Sequence, residues 1–152
     1  MHITAILLLA IASLPGSSGW TGNWRADLGA STLPAGFPSL RSQTMQLEEM
    51  PGKLRCITER VTVAGASTRA EFTAAFDGKH YPVTGLPEIS DVSLHKYPEF
   101  IEADFFHDQT PVFSYRMWIS KIDDSLIIVS IDPITRKKLQ ARIVYHRQPA
   151  NL

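Results

Sequence analysis

The side chains able to do chemistry are spread along this chain instead of gathered into motifs. Beyond the N-terminal His2, the histidines are His80, His95, His107 and His146, and no two share the His-x-His spacing that lets one strand hold a metal. Cys56 is the one cysteine. A single thiol rules out an intrachain disulfide framework and any multi-cysteine zinc or iron–sulfur site. Within an apolar β-run it reads as a small buried hydrophobe, not a nucleophile. Glu102 and Asp104 share one outward strand face; paired carboxylates can do acid–base work, but an outward, solvated face is the simpler reading. Asp123-Asp124 reads as a hairpin turn, where Asp serves the backbone. The chain has no G-x-S-x-G elbow and no glycine-rich phosphate loop. Neither an enzyme nor a bound cofactor is expected.

What remains is a set of large, soft side chains. Phe72, Phe76, Phe105, Phe113, Tyr115, Met117 and Tyr145 all take the inward parity of their strands. Small residues beside them, Ala70, Ala74, Ala103 and Ala141, leave room in places. This composition fits a ligand-binding apolar pocket with tyrosine hydroxyls as polar handles. It also fits a packed interior, because small barrels fill themselves with such side chains. Buried tyrosines need a partner for their hydroxyl, which leans toward a pocket holding water or ligand.

The elements that must position these residues are strands. Period-two alternation runs through Phe72/Ala74/Phe76, Ile101/Ala103/Phe105, Phe113/Tyr115/Met117/Ile119, Ile127/Val129/Ile131 and Leu139/Ala141/Ile143/Tyr145. Earlier strands are expected at 20–28, 42–49, 53–63 and 91–97. In 53–63 the apolar residues fall on both phases, which calls for a bulge or burial on two sides. Connections such as Met50-Pro51-Gly52, Ala64-Gly65-Ala66 and Asp108–Pro111 are short and suit antiparallel neighbours. Such a meander is best closed as a barrel, which removes its edges. Residues 28–41, with Pro34, Gly36 and Pro38, read as a loop over one barrel mouth or as a connector whose apolar residues plug it.

Size and charge agree with one globular domain. The chain has 152 residues, 44% hydrophobic, with 15 basic and 15 acidic side chains. Zero net charge without a basic run argues against nucleic acid as a partner. Residues 3–14 are an apolar run ending at Pro15, followed by Gly16-Ser17-Ser18-Gly19. That order reads as a secretory signal peptide over 1–19, cut before Trp20, although Met1-His2 brings no Lys or Arg. The domain is then 20–148, secreted or periplasmic, with no stable membrane span after cleavage.

Particular residues suggest a family. Gly22-Asn23-Trp24 resembles the G-x-W signature of the lipocalin and fatty-acid-binding superfamily. Gly22 to Asp27 followed by Ser31 is similar to the opening strand of fatty-acid-binding proteins, and 141–147, Ala-Arg-Ile-Val-Tyr-His-Arg, resembles their last strand. With the Pro-rich loop, Ser42-Gln43-Thr44, and Asp-Gly-Lys-x-Tyr-Pro-Val-Thr-Gly at 77–85, the pattern looks most like secreted bacterial lipocalin-like domains of unknown function. The resemblance covers 20–147. It implies an all-β, antiparallel up-and-down lipocalin-like β-barrel of eight to nine strands, holding a small apolar or amphipathic ligand as its partner.

There are departures. In fatty-acid-binding proteins the Arg and Tyr that grip a carboxylate sit two apart; Arg142 and Tyr145 are three apart and face opposite ways. Residues 28–41 hold no counterpart of that family's two-helix lid. Lipocalins lay a last-strand Arg across the Trp of G-x-W, a role open here to Arg142 or Arg147 against Trp24. Nitrobindin-like relatives bind haem through an inward histidine; His107, at a strand end, reads as a rim residue. The alternative function is a structural or protein-interaction barrel with a filled core and no ligand, using an outward apolar patch of Trp118, Phe106 and Trp20.

Overall fold

Alternating apolar and polar residues cannot bury one face as a helix, and the chain resolves this by pairing strands. A computed structural model describes residues 19–149, which form one antiparallel sheet of ten strands with no helix among them. The expected targeting segment lies, through residue 18, outside the described residues. In chain order the strands are β1 (Gly22–Thr32), β2 (Leu40–Met50), β3 (Lys53–Thr62), β4 (Ser67–Ala75), β5 (Tyr81–Pro82), β6 (Asp91–Lys96), β7 (Ile101–His107), β8 (Thr110–Ile119), β9 (Leu126–Ile131) and β10 (Lys138–Arg147).

The sheet order is β4-β3-β2-β1-β10-β9-β8-β7-β6-β5. First and last strands pair, so the two free edges are β4 and β5, consecutive in the chain. The edges meet at one bridge, where Glu71 and Thr84 exchange two backbone hydrogen bonds of 3.0 Å. The result is a nearly closed up-and-down barrel. Beside the bridge, Gly85 has a φ of +91°, and a Cβ there would stand 1.8 Å from the Arg69 carbonyl oxygen. Glycine alone permits both the angle and the approach.

Ten strands exceed the eight or nine expected. The segment around Tyr81-Pro82 reads as a turn, because two residues cannot display a period and Pro82 lacks a ladder donor; it occurs at a sheet edge, where such a residue is tolerated. The 28–41 segment also divides differently. β1 continues to Thr32, and only 33–39 is loop. The ladder between β1 and β10 shifts register between Asp27 and Thr32, where the Val144 amide donates to the Ser31 hydroxyl. That irregularity erases the alternation a sequence reading needs.

Burial is uneven along the barrel axis. At the base, Trp24, Leu47, Leu54, Leu94, Ile101, Met117 and Leu126 are fully buried. Trp24 donates to the Trp20 carbonyl at 3.1 Å, and Arg147, its register partner, places its guanidinium carbon 4.2 Å from the ring centroid. Arg147 also donates to the Thr21 and Gly19 carbonyls at 2.7 and 2.8 Å. Arg142 is exposed, so the choice between the two arginines falls to Arg147. The mixed phases of β3 reflect burial on two sides: Leu54 and Cys56 point in, while Ile57 is 7% exposed on the outer face. The β2–β3 register is unbroken from Lys53 to Val61, and its one shift lies between Leu40 and Ser42 on β2.

Candidate functional site

Above the packed base the interior is open. A cavity of about 450 Å³ occupies the upper half, toward the end of the barrel bordered by the 33–39 and 85–90 connections. At about 30 Å³ for each water-sized volume, it holds roughly 15 non-hydrogen atoms. Most of its wall is apolar. Phe105 on β7 is the centre of an aromatic cluster: Phe113 stacks at 4.4 Å, Tyr115 lies at 5.3 Å, and Phe72 meets it edge-on at 5.9 Å across the β4 side. Ala70, Ala141 and Ile143 supply smaller wall positions, and Pro34 and Phe37 come from the 33–39 loop.

Of the seven side chains expected inward, Phe72, Phe105, Phe113, Tyr115 and Tyr145 line this cavity. Phe76 and Met117 do not. Phe76 packs at the base end of β4 with the Lys96 ammonium 5.2 Å over its ring. Met117 is 1% exposed and pairs with Ile101 in the packed base. Parity distinguishes inside from outside but carries no information about height along the barrel.

Gln43, Thr58 and Arg60 add polar groups to the cavity beyond the expected tyrosine hydroxyls. Leu54, Cys56, Thr58 and Arg60 share the inward parity of β3, and the last three line the cavity. The Arg60 Nε donates to the Gln43 Oε1 at 2.9 Å, and the Gln43 amide nitrogen donates to the Tyr145 hydroxyl. Gln43 is 3% exposed and Tyr145 is 0%. The Phe37 ring covers the Arg60 guanidinium at 4.5 Å. Burial pushes the Arg60 pKa down and Tyr145 opposes this, but a guanidinium stays charged at neutral pH. Extending the parity of Leu54 and Cys56 by four residues would have found Arg60; treating apolarity as the mark of an inward position hid it.

Burial also fixes the protonation of the other groups. The Cys56 thiol is pushed up to about 12, so it stays neutral and is no nucleophile at physiological pH. Burial raises the Tyr115 and Tyr145 hydroxyls well above their ordinary value, so both remain protonated. The Tyr115 hydroxyl has no hydrogen-bond partner among the described residues.

Other expected features resolve as structure. Glu102 and Asp104 are not a solvated face. Arg136, held at a φ of +62° in the β9–β10 turn, folds over them, 2.6 Å from each. Arg116 adds a second contact to Glu102 at 2.6 Å. Asp123 accepts from Ser125, and Asp124 pairs with Arg147 at 3.0 Å. His80 stacks on Phe106 at 4.1 Å, His146 meets Asp27 at 3.0 Å, and His107 sits exposed at the rim beside Asp108. Of the residues expected in an outward patch, Phe106 stacks against His80, Trp118 has the Lys138 ammonium 5.9 Å from its ring, and Trp20 packs against the core; all three are half-buried. Exposed large apolar side chains lie at both ends of the barrel, with Val63, Val112, Phe113, Ile134 and Leu139 toward the mouth and Tyr97 and Ile122 in turns at the base.

No protein-family model matches the chain, and neither a curated protein nor a solved structure matches it.

Proposed function

We propose that this is an extracytoplasmic, lipocalin-like protein that binds one small apolar or amphipathic molecule inside its barrel. The observation that carries the reading is the 450 Å³ cavity, lined by the Phe105 cluster and lying above a base that is fully packed. A barrel evolved only for its surface would gain by filling that space, since each unfilled volume forfeits packing contacts. The volume falls within the usual range for small-molecule sites. The stack of Arg147 on Trp24 agrees with the lipocalin resemblance. Export rests on the 3–14 apolar run and its small-residue exit.

Native mass spectrometry of the protein purified from the extracytoplasmic fraction of its own host tests both halves. The expected species begins at or near Trp20 and carries a co-purifying small molecule, released on denaturation. Intact Met1 in the cytoplasm contradicts export. A ligand-free species that also takes up no added apolar molecule favours the interaction barrel.

A further inference from the structure

Five arginines of the described chain are half-buried: Arg55, Arg60, Arg116, Arg136 and Arg147. Four of them pair with a carboxylate. Arg55 meets Glu71 at 2.8 Å, Arg116 meets Glu102 at 2.6 Å, Arg136 meets Glu102 and Asp104 at 2.6 Å, and Arg147 meets Asp124 at 3.0 Å. Arg60 is the exception, with no carboxylate within 4.0 Å among the described residues, and it is the one that faces the cavity. Its bond to protein goes to a neutral amide, Gln43, through Nε. Its two terminal nitrogens donate to no protein acceptor among the described residues.

A partly desolvated cation without a counter-ion is costly. We propose that the missing counter-ion is the ligand: the cavity takes a monoanionic amphiphile, its acid group on the Arg60 guanidinium and its tail against Phe72 and Phe105. This rests on the cavity being a ligand site. The guanidinium fork matches a carboxylate in geometry as well as charge. Gln43, itself anchored on Tyr145, holds the Arg60 Nε and so fixes the fork's direction. Arg60 pairs in register with Gln43 and Thr68, close to the mouth, and Phe37 covers it. The acid group therefore lies near the mouth beneath the 33–39 loop. One unpaired cation calls for one negative charge, and Glu88, exposed at the mouth, disfavours a dianion. Room for roughly 15 non-hydrogen atoms fits an acid with a tail of about a dozen carbons.

The test compares dodecanoate, dodecan-1-ol and dodecyltrimethylammonium, all below their micelle concentrations at pH 7.5, as competitors of a neutral apolar dye. Dodecanoate is expected to bind at least about tenfold more tightly than the alcohol, the order a charge-assisted hydrogen bond supplies. The ammonium compound is expected to bind most weakly. Arg60→Met should abolish the preference, so that acid and alcohol bind alike, while Arg60→Lys should keep part of it. If Arg60→Met does not fold, the order of the three head groups on the unaltered protein decides. Equal binding of acid and alcohol overturns the assignment of charge while the cavity stands as a ligand site. Failure of the dye and all three compounds to bind overturns the cavity reading and this inference with it.

Discussion

Arg147 on the last strand lies over Trp24 on the first, its guanidinium carbon 4.2 Å from the ring centroid, and the two are partners in the β1–β10 register. This contact closes the base where the first and last strands pair. It ties the strand pairing that makes a barrel of the sheet to the turns around it, through the Thr21 and Gly19 carbonyls and Asp124.

Trp24→Ala should therefore cost about 3–5 kcal/mol, the range for deleting a buried aromatic side chain. Arg147→Ala removes the stack but leaves the ring buried, and should cost about 1–2 kcal/mol. Urea unfolding of both variants checks the pair. A Trp24→Ala cost under about 1 kcal/mol would place the closure elsewhere.

The seam between β4 and β5 is expected to fail at a single methyl group. Gly85→Ala puts a Cβ 1.8 Å from the Arg69 carbonyl oxygen at a φ of +91°. The backbone on one side must move, at about 2 kcal/mol or more. Amide hydrogen exchange should accelerate first at Glu71 and Thr84, whose mutual bonds form the seam. Unchanged protection there would mean the edges are held by other contacts.

Glu102 gives the outer wall a pH dependence. Burial raises its pKa, but the hydrogen bonds and charges of Arg116 and Arg136 outweigh this, so it lies below its ordinary value. A depressed carboxyl contributes fully above its unfolded pKa of about 4.3, and the contribution is lost as pH falls through the folded value. Glu102→Gln should cost about 2 kcal/mol at pH 7, less than a fully buried pair because Arg136 is 36% exposed. The gap between the two proteins in chemical denaturation should narrow below about pH 4.3. A gap independent of pH would mean that the Glu102 charge contributes nothing to stability.

Much of the barrel is legible in the sequence, and what is not has identifiable causes. β7, β8 and β10 announce themselves because one face is consistently apolar and the other polar, as at Phe113/Tyr115 against Ser114/Arg116. β5 is illegible because Tyr81-Pro82 is too short to have a period. Alternation puts Phe76 and Met117 on the inner face, where they lie, but carries no axial coordinate to separate the packed base from the cavity. Gln43 and Arg60 are not legible as cavity residues because they are polar side chains at inward positions, against the alternation that specifies the fold. The fate of Glu102 and Asp104 depended on Arg136, a residue 34 positions from Glu102 in a turn whose fold no local signal reveals.

The upper barrel encloses a cavity open to small molecules, unlike the packed base beneath it. Titration of the folded protein with an apolar, environment-sensitive dye tests it most directly. One saturable site of micromolar affinity, roughly −8 kcal/mol, is expected. Ala141→Phe, which pushes a ring into the cavity from β10, should abolish binding with little loss of stability. Met117→Lys should instead unfold the base, because Met117 is 1% exposed among packed neighbours. Absence of saturable binding, or binding indifferent to Ala141→Phe, would contradict the claim.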